Sequence, residues 1–183
     1  LLELAGDEPA EVLEVGCGDG FLSASVTDRG RGVVGLDADA PVLERARARW
    51  PEMAVDWRLG DLMAADLPLG AFDAVLSNAT LHHLQDTGAA LDRLGDLVRP
   101  GGVLRVVGFA RNSWWDWPYA LAGQAVLIAV NRVHRKWEHR APQHWPPPLT
   151  HDQVRQVAAE RLPGSRFRRL VFVRYLLTWR RPK

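Results

Sequence analysis

Val12-Leu13-Glu14-Val15-Gly16-Cys17-Gly18-Asp19-Gly20-Phe21 is the stretch that decides how this chain is read. A short buried strand runs straight into three alternating glycines. Glycine permits sharp turns and close backbone approach that side chains forbid. A helix starting just after such a turn offers free N–H groups to a ligand. Strand, glycine turn and helix together form a cradle for a nucleotide-like group. The spacing narrows the choice. A dinucleotide fingerprint, G-x-G-x-x-G, needs its third glycine at position 21. Phe21 stands there, and the pattern is G-x-G-x-G.

Outward from this loop, β-branched runs alternate with helical patterns through the first 110 residues, the signature of a parallel sheet covered by helices. Val33 to Asp37 reads as the second strand, Ala54 to Leu59 as the third, Phe72 to Ser77 as the fourth and Val103 to Val107 as the fifth. Between the second and third, Asp39 caps a helix with Pro41 in its first turn. Val42, Leu43, Ala46 and Trp50 form its apolar face. Leu91, Leu94 and Val98 mark another helix, which Pro100-Gly101-Gly102 stops before the fifth strand.

The pattern changes after Phe109. Five of the eight tryptophans fall in residues 111–149, and Pro146-Pro147-Pro148 is extended because consecutive prolines exclude helix. Thr150-His151-Asp152-Gln153 then reads as a capping box, with Val154, Val157, Ala158 and Leu162 as the stripe of its helix. Two last strands, about Arg166–Val173 and Arg174–Arg180, pair antiparallel. The expected organisation is one domain over residues 1–183, with 111–149 as a Trp-rich insert.

Composition supports an ordinary globular protein: 183 residues, 47% hydrophobic and 25% charged, leave no room for general disorder. No apolar run reaches the roughly 18–20 residues of a membrane span. No basic-then-apolar leader opens the chain. It begins without Met, which leaves room for a preceding segment. Cys17 is the single cysteine, so no internal disulfide forms and an intracellular, cytoplasmic place is expected. The net charge of +1 hides a split: residues 1–110 carry 9 Arg and 18 acids, residues 111–183 carry 14 Lys/Arg and 4 acids. Either the basic part has an anionic partner or the two parts neutralise each other within one fold.

The motifs and their order resemble class I S-adenosylmethionine (SAM)-dependent methyltransferases, in the small-molecule branch related to quinone-biosynthesis enzymes. The glycine loop matches the family's first motif, and Asp37 is the acid ending the second strand. Gly60-Asp61-Leu62, Phe72 to Ala79 with Leu81-His82-His83-Leu84, and Leu97 to Leu104 with Pro100-Gly101-Gly102 match in order. The likeness spans about residues 9–109, covers the last strands as architecture only, and leaves 111–149 unmatched.

It implies an α/β, Rossmann-like fold: a mostly parallel seven-stranded sheet, an antiparallel last strand, helices on both faces. It implies SAM as cofactor, leaving as S-adenosylhomocysteine (SAH). By resemblance Gly16, Cys17 and Gly18 line the cofactor by backbone, with Gly20 closing the loop. Asp19 sits near the methionine portion, and Glu14 holds the amino group through water. Asp37 binds the ribose, Ala38 lies beside the adenine, Asp61 and Leu62 address its edge, and Asn78 stands near the methyl group.

The acceptor is less legible. His82 and His83 lie past the fourth strand, where a base or substrate contact would stand; the other reading, which the resemblance favours, is a structural pair capping the loop. The other histidines show no metal-ligand spacing, so no metal is expected. Trp114, Trp115 and Trp117 either wall an acceptor pocket or pack the insert onto the sheet. A third reading makes Trp114 to Trp137 a membrane-surface helix with Arg132, Arg135 and Lys136 at its basic end.

The leading reading is methyl transfer to a small-molecule acceptor. A nucleic-acid methyltransferase using the basic half is an alternative, against which stands Ser77-Asn78-Ala79-Thr80 where exocyclic-amine DNA methyltransferases carry Asn/Asp-Pro-Pro-aromatic. A SAM-binding scaffold or sensor without turnover is another. A nicotinamide dehydrogenase fits least, given Phe21. Nothing in the residues sets an oligomeric state.

Overall fold

A computed structural model describes residues 11–27, 32–112, 146–171 and 173–183. Seven strands form one sheet: β1 (Glu11–Val15), β2 (Gly32–Asp37), β3 (Val55–Leu59), β4 (Phe72–Asn78), β5 (Val98–Phe109), β6 (Arg166–Arg169) and β7 (Arg174–Arg180). Their order is β3-β2-β1-β4-β5-β7-β6. The first five pair in parallel. β7 runs antiparallel to both β5 and β6. This is the α/β, Rossmann-like arrangement with an antiparallel last strand that the family resemblance implies.

Four helices are described: α1 (Phe21–Thr27), α2 (Ala40–Arg49), α3 (Thr87–Leu97) and α4 (His151–Arg161), with a 3-10 turn at Leu81–His83. The local chemistry that starts them is the expected one. Asp39 caps α2 by accepting the Val42 amide, with proline in the first turn. Asp86 does the same for α3 through Ala89. Thr150 and Gln153 form a reciprocal capping box on α4.

The sheet is covered on both faces. On one, Leu91, Leu94 and Leu97 of α3 and Val154 and Ala158 of α4 pack against Leu13, Val75, Leu104, Tyr175 and Leu177. On the other, Leu22 and Val26 of α1 meet Val12, Val33, Ala74 and Leu76. Each fully buried aliphatic side chain contributes about 1.5–3 kcal/mol. This packing fixes which strand ends share an edge: Val15 is in register with Leu36 and Ser77, and Asp37 with Leu59.

Several boundaries move. α3 ends at Leu97, and Val98 is already extended, so the apolar residue counted to the helix begins the strand. β5 is correspondingly longer than Val103–Val107. It runs through Pro100-Gly101-Gly102, and its register with β4 shifts between Phe72 and Ala74. β3 starts at Val55 rather than Ala54. β6 stops at Arg169, because the chain must turn before β7.

The connection after β5 returns close to where it leaves. Arg111 bridges to Thr150, and the Arg111 amide donates to the Leu149 carbonyl at 2.7 Å. Residues 113–145 lie outside the described residues, and with them Trp114, Trp115 and Trp117.

Candidate functional site

The glycine loop sits at the carboxyl ends of the parallel strands, where ligands bind in open α/β sheets. Gly16, Gly18 and Gly20 all have positive φ, at 70°, 55° and 79°. Their surroundings differ. A Cβ on Gly16 would run into Thr80 Oγ1, and one on Gly20 would run into the Trp57 ring. A Cβ on Gly18 would meet nothing within 4 Å. The first and third glycines are therefore required by protein packing, and the middle one leaves its space to the cleft.

That cleft measures about 880 Å³, within the roughly 300–1,000 Å³ of small-molecule sites. Its walls bring together most residues singled out from the sequence. Glu14, Gly16, Cys17, Gly18 and Asp19 come from β1 and the loop. Asp37 and Ala38 come from the end of β2, Asp61 and Leu62 from the turn after β3, and Asn78 from the end of β4. Gly20 is not on the wall, since it packs outward against Trp57.

Asp37 links loop and strand. Its Oδ2 accepts the Gly18 amide at 2.8 Å and its Oδ1 the Asp39 amide at 3.0 Å. A carboxylate has about four lone-pair positions, so each oxygen keeps capacity for a further donor. Asp61 turns its own loop, accepting the Met63 amide at 2.7 Å. Leu62 is buried.

Glu14 is the unusual group. It lies on the α1 side of β1, only 3% exposed. Ser23 of α1 donates its hydroxyl to Glu14 Oε2 at 2.5 Å. Burial pushes the Glu14 carboxyl up to about 8; the nearby Asp37 charge pushes the same way, and the Ser23 hydrogen bonds only partly offset them. Burial likewise raises the Cys17 thiol, with the charges of Glu14 and Asp37 adding to it. Cys17 is thus a small packed residue of the loop and not an activated thiol.

The two histidines part company. His83 lines the cleft. His82 lines a separate small crevice with Phe109, Leu149 and Tyr175. Its ring meets Phe109 edge-on at 5.0 Å, and the two imidazole centroids are 4.0 Å apart. His82 therefore lies beside the paired stems of the 113–145 connection. Among the described residues no group of three or more His, Cys, Asp or Glu side chains has the arrangement to hold a metal ion. None of the described helices is long and apolar enough to cross a membrane.

Sequence reasoning passes over several residues of this site. Thr80 fills the space beside Gly16. Ser23 is the partner of Glu14, and the intervening glycine loop hides the pair until β1 and α1 fold together. Arg45 lines the rim of the cleft from α2 and pairs with Asp19 at 3.1 Å. The helical period that places Arg45 one turn after Pro41 is the one signal that marks it.

The described residues suit the SAM-type cofactor that the resemblance implies. They offer an open space above a positive-φ glycine, a carboxylate with spare acceptor capacity and a turn bearing Asp61 at the strand ends.

A family profile described as a methyltransferase domain matches residues 13–106. An uncharacterized methyltransferase of Mycobacterium tuberculosis strain H37Rv is 48% identical over 171 residues, covering 93% of this chain and 87% of that protein. A ubiquinone biosynthesis O-methyltransferase of Bradyrhizobium sp. is 30% identical over 78% of this chain, which spans 54% of that longer protein. Among solved structures, a SAM-dependent methyltransferase from Methanosarcina mazei superposes with a TM-score of 0.67 at 16% identity, covering 96% of this chain and 93% of that one.

Proposed function

The chain belongs to the class I SAM-dependent methyltransferases, and from that premise we propose that it moves a methyl group from SAM to a small-molecule acceptor by in-line displacement. The observation that carries the reading is the open space over Gly18 beside Asp37. It leaves the loop backbone and the acid accessible to one ligand.

Bound SAM supplies an electrophilic methyl group on a sulfonium sulfur. The residues of this chain hold and orient. Asp37 keeps the loop closed through Gly18 and offers its remaining lone pairs to the ribose hydroxyls. Ala38 flanks the adenine, and Asp61 and Leu62 meet its edge. Glu14, Cys17, Asp19 and Asn78 face the methionine end, with Gly16 and Gly20 shaping the loop. Alignment of this kind lowers a barrier by roughly 7–11 kcal/mol. The chemistry SAM would supply is transfer of that methyl group to the acceptor atom with loss of the carbon–sulfur bond, which would release SAH as a neutral thioether. A hydroxyl acceptor also loses a proton. His83, on the cleft wall, is the base candidate; His82 faces the other way and supports the loop.

The small-molecule acceptor is supported by the likeness to a ubiquinone biosynthesis O-methyltransferase. We take residues 1–183 as one methyltransferase domain, with 111–149 capping the acceptor site and its tryptophans, Trp114, Trp115 and Trp117 first, contacting the acceptor. The paired stems beside His82 support that position. The reading puts the enzyme in the cytoplasm.

Transfer of labelled methyl from SAM into a small-molecule extract, with RNA and DNA in parallel, tests the proposal. Label in an extractable small molecule is the expected result. Label in nucleic acid would overturn the acceptor class. SAH binding with no transfer to any fraction would point to a scaffold or sensor.

A further inference from the structure

Helix α2 connects the two ends of the cofactor site. At its N-terminus, the capping Asp39 stands two residues beyond Asp37, the last residue of β2. At its C-terminus, Trp50 reaches back to the glycine loop: its indole Nε1 donates to the Asp19 carbonyl at 3.0 Å. Midway, Arg45 Nε holds the Asp19 carboxylate at 3.1 Å. One helix thus holds both the backbone and the side chain of the residue between Gly18 and Gly20.

Aromatic rings fix the rest of that outer surface. Trp50 meets Phe21 edge-on, with centroids 5.6 Å apart. The Arg49 guanidinium lies 4.8 Å from the centre of the Phe21 ring. Gly20 rests against Trp57 and Trp50, leaving no room for a side chain. Three glycines in five positions lose more backbone freedom on being held in one conformation than other residues would. The loop's own turn bond, from the Gly20 amide to the Cys17 carbonyl at 2.9 Å, closes it internally. It does not tie the loop to the helix.

We propose that Trp50, aided by Arg45, is a positioning residue that holds the Asp19 segment of the glycine loop in its ligand-ready shape. Trp50 is absent from the cleft wall, so it acts through Asp19 rather than on the ligand. The inference rests on the SAM-site reading above and adds what preorganises that site. A loop already held in its bound shape does not lose that freedom again on binding.

The test is Trp50→Phe, which keeps an aromatic ring against Gly20 and Phe21 and deletes the donor. SAH affinity is measured by calorimetry, SAM kinetics by methyl transfer, and loop order by hydrogen exchange over the peptide containing residues 16–22. The expected result is SAH affinity weakened about three- to tenfold, the scale of one part-buried hydrogen bond. KM for SAM rises in proportion, and kcat at saturating SAM stays within about twofold, since bound ligand restores the loop. Exchange quickens in the loop peptide and not in β4 or β5. Arg45→Ala, which removes a half-exposed ion pair, has a smaller effect in the same direction. Unchanged SAH affinity and loop exchange in Trp50→Phe would overturn the proposal. So would a fall in melting temperature and kcat with KM for SAM unmoved, the mark of a merely structural tryptophan. If the wild-type protein binds neither SAM nor SAH, the SAM-site reading fails, and the exchange comparison still tests the clamp.

Discussion

Asp37 and Gly18 are joined by a hydrogen bond from the loop amide to carboxylate Oδ2, 2.8 Å long. The bond crosses between two parallel strands' ends, so one carboxylate shapes the loop and faces the cleft. Replacing it separates these duties. An asparagine side chain at this position would keep one oxygen for a backbone amide and turn an NH₂ toward the other. Asp37→Asn is expected to weaken SAH binding about tenfold, and Asp37→Ala about a hundredfold, by loss of charge-assisted hydrogen bonds of about 1.5–3 kcal/mol. Calorimetry measures both. Wild-type affinity in Asp37→Ala would sink the ribose assignment.

The three loop glycines make a contrast that substitution can read. Gly16→Ala drives a methyl group into Thr80 Oγ1 on a backbone with φ of 70°. It is expected to cost about 2–4 kcal/mol, a melting temperature lower by roughly 5–15 °C. Thr80→Gly in the same chain should recover part of that loss, because the clash is with that side chain. Gly18→Ala meets no atom and carries only the left-handed backbone cost, about 1 kcal/mol. Its methyl group stands in the cleft, so it should fold nearly normally and lose SAH affinity. Thermal melts and calorimetry on the three variants decide this. Equal loss of stability at both positions would contradict the packing described.

How much of this is legible in the sequence depends on the range of the interaction. The glycine loop and the helix caps are set by residues within a few positions of each other, and local spacing carries them; Asp37 and Asp61 are marked by their places in the ordered motifs of the family that the chain resembles. The fold class follows, because alternating strands and helices admit few topologies. Ser23 beneath Glu14 and Thr80 beside Gly16 come from other elements and have no mark in local spacing. The histidine pair shows the limit most clearly. Adjacent in sequence, His82 and His83 read alike, and the 3-10 turn carrying them turns one toward the cleft and the other toward Phe109. Val98 shows a related limit: an apolar residue in step with a helical stripe fits equally the first position of a buried strand.

That division makes the histidines separable by experiment. His83→Asn is expected to lower kcat about a hundredfold for a hydroxyl acceptor, the lower range for loss of a general base. KM for SAM should stay near wild type. His82→Phe should leave kcat near wild type, since the ring packs with Phe109 on the crevice side. A loss of kcat in His82→Phe alone would reverse the assignment.

Glu14 ties stability to pH with a definite sign. Its carboxyl is raised by burial from 4.5 to about 8 in the folded chain. The folded state therefore binds the proton more tightly than the unfolded one. Its contribution is fully present below about 4.5 and is lost as pH rises through about 8. Across that window the protein should lose stability on the order of a few kcal/mol from this group alone. Glu14→Gln keeps the shape and an acceptor for Ser23 and has nothing to ionise. Its melting temperature should exceed wild type at pH 8 and approach it at pH 5. SAH affinity should fall in the same variant, because the ligand's ammonium group can no longer draw out a carboxylate on that wall of the cleft. A constant difference between the two melting curves from pH 5 to pH 8 would mean that Glu14 does not titrate in this range. A stabilised variant that binds SAH as tightly as wild type would leave the buried carboxylate without a role in the cleft.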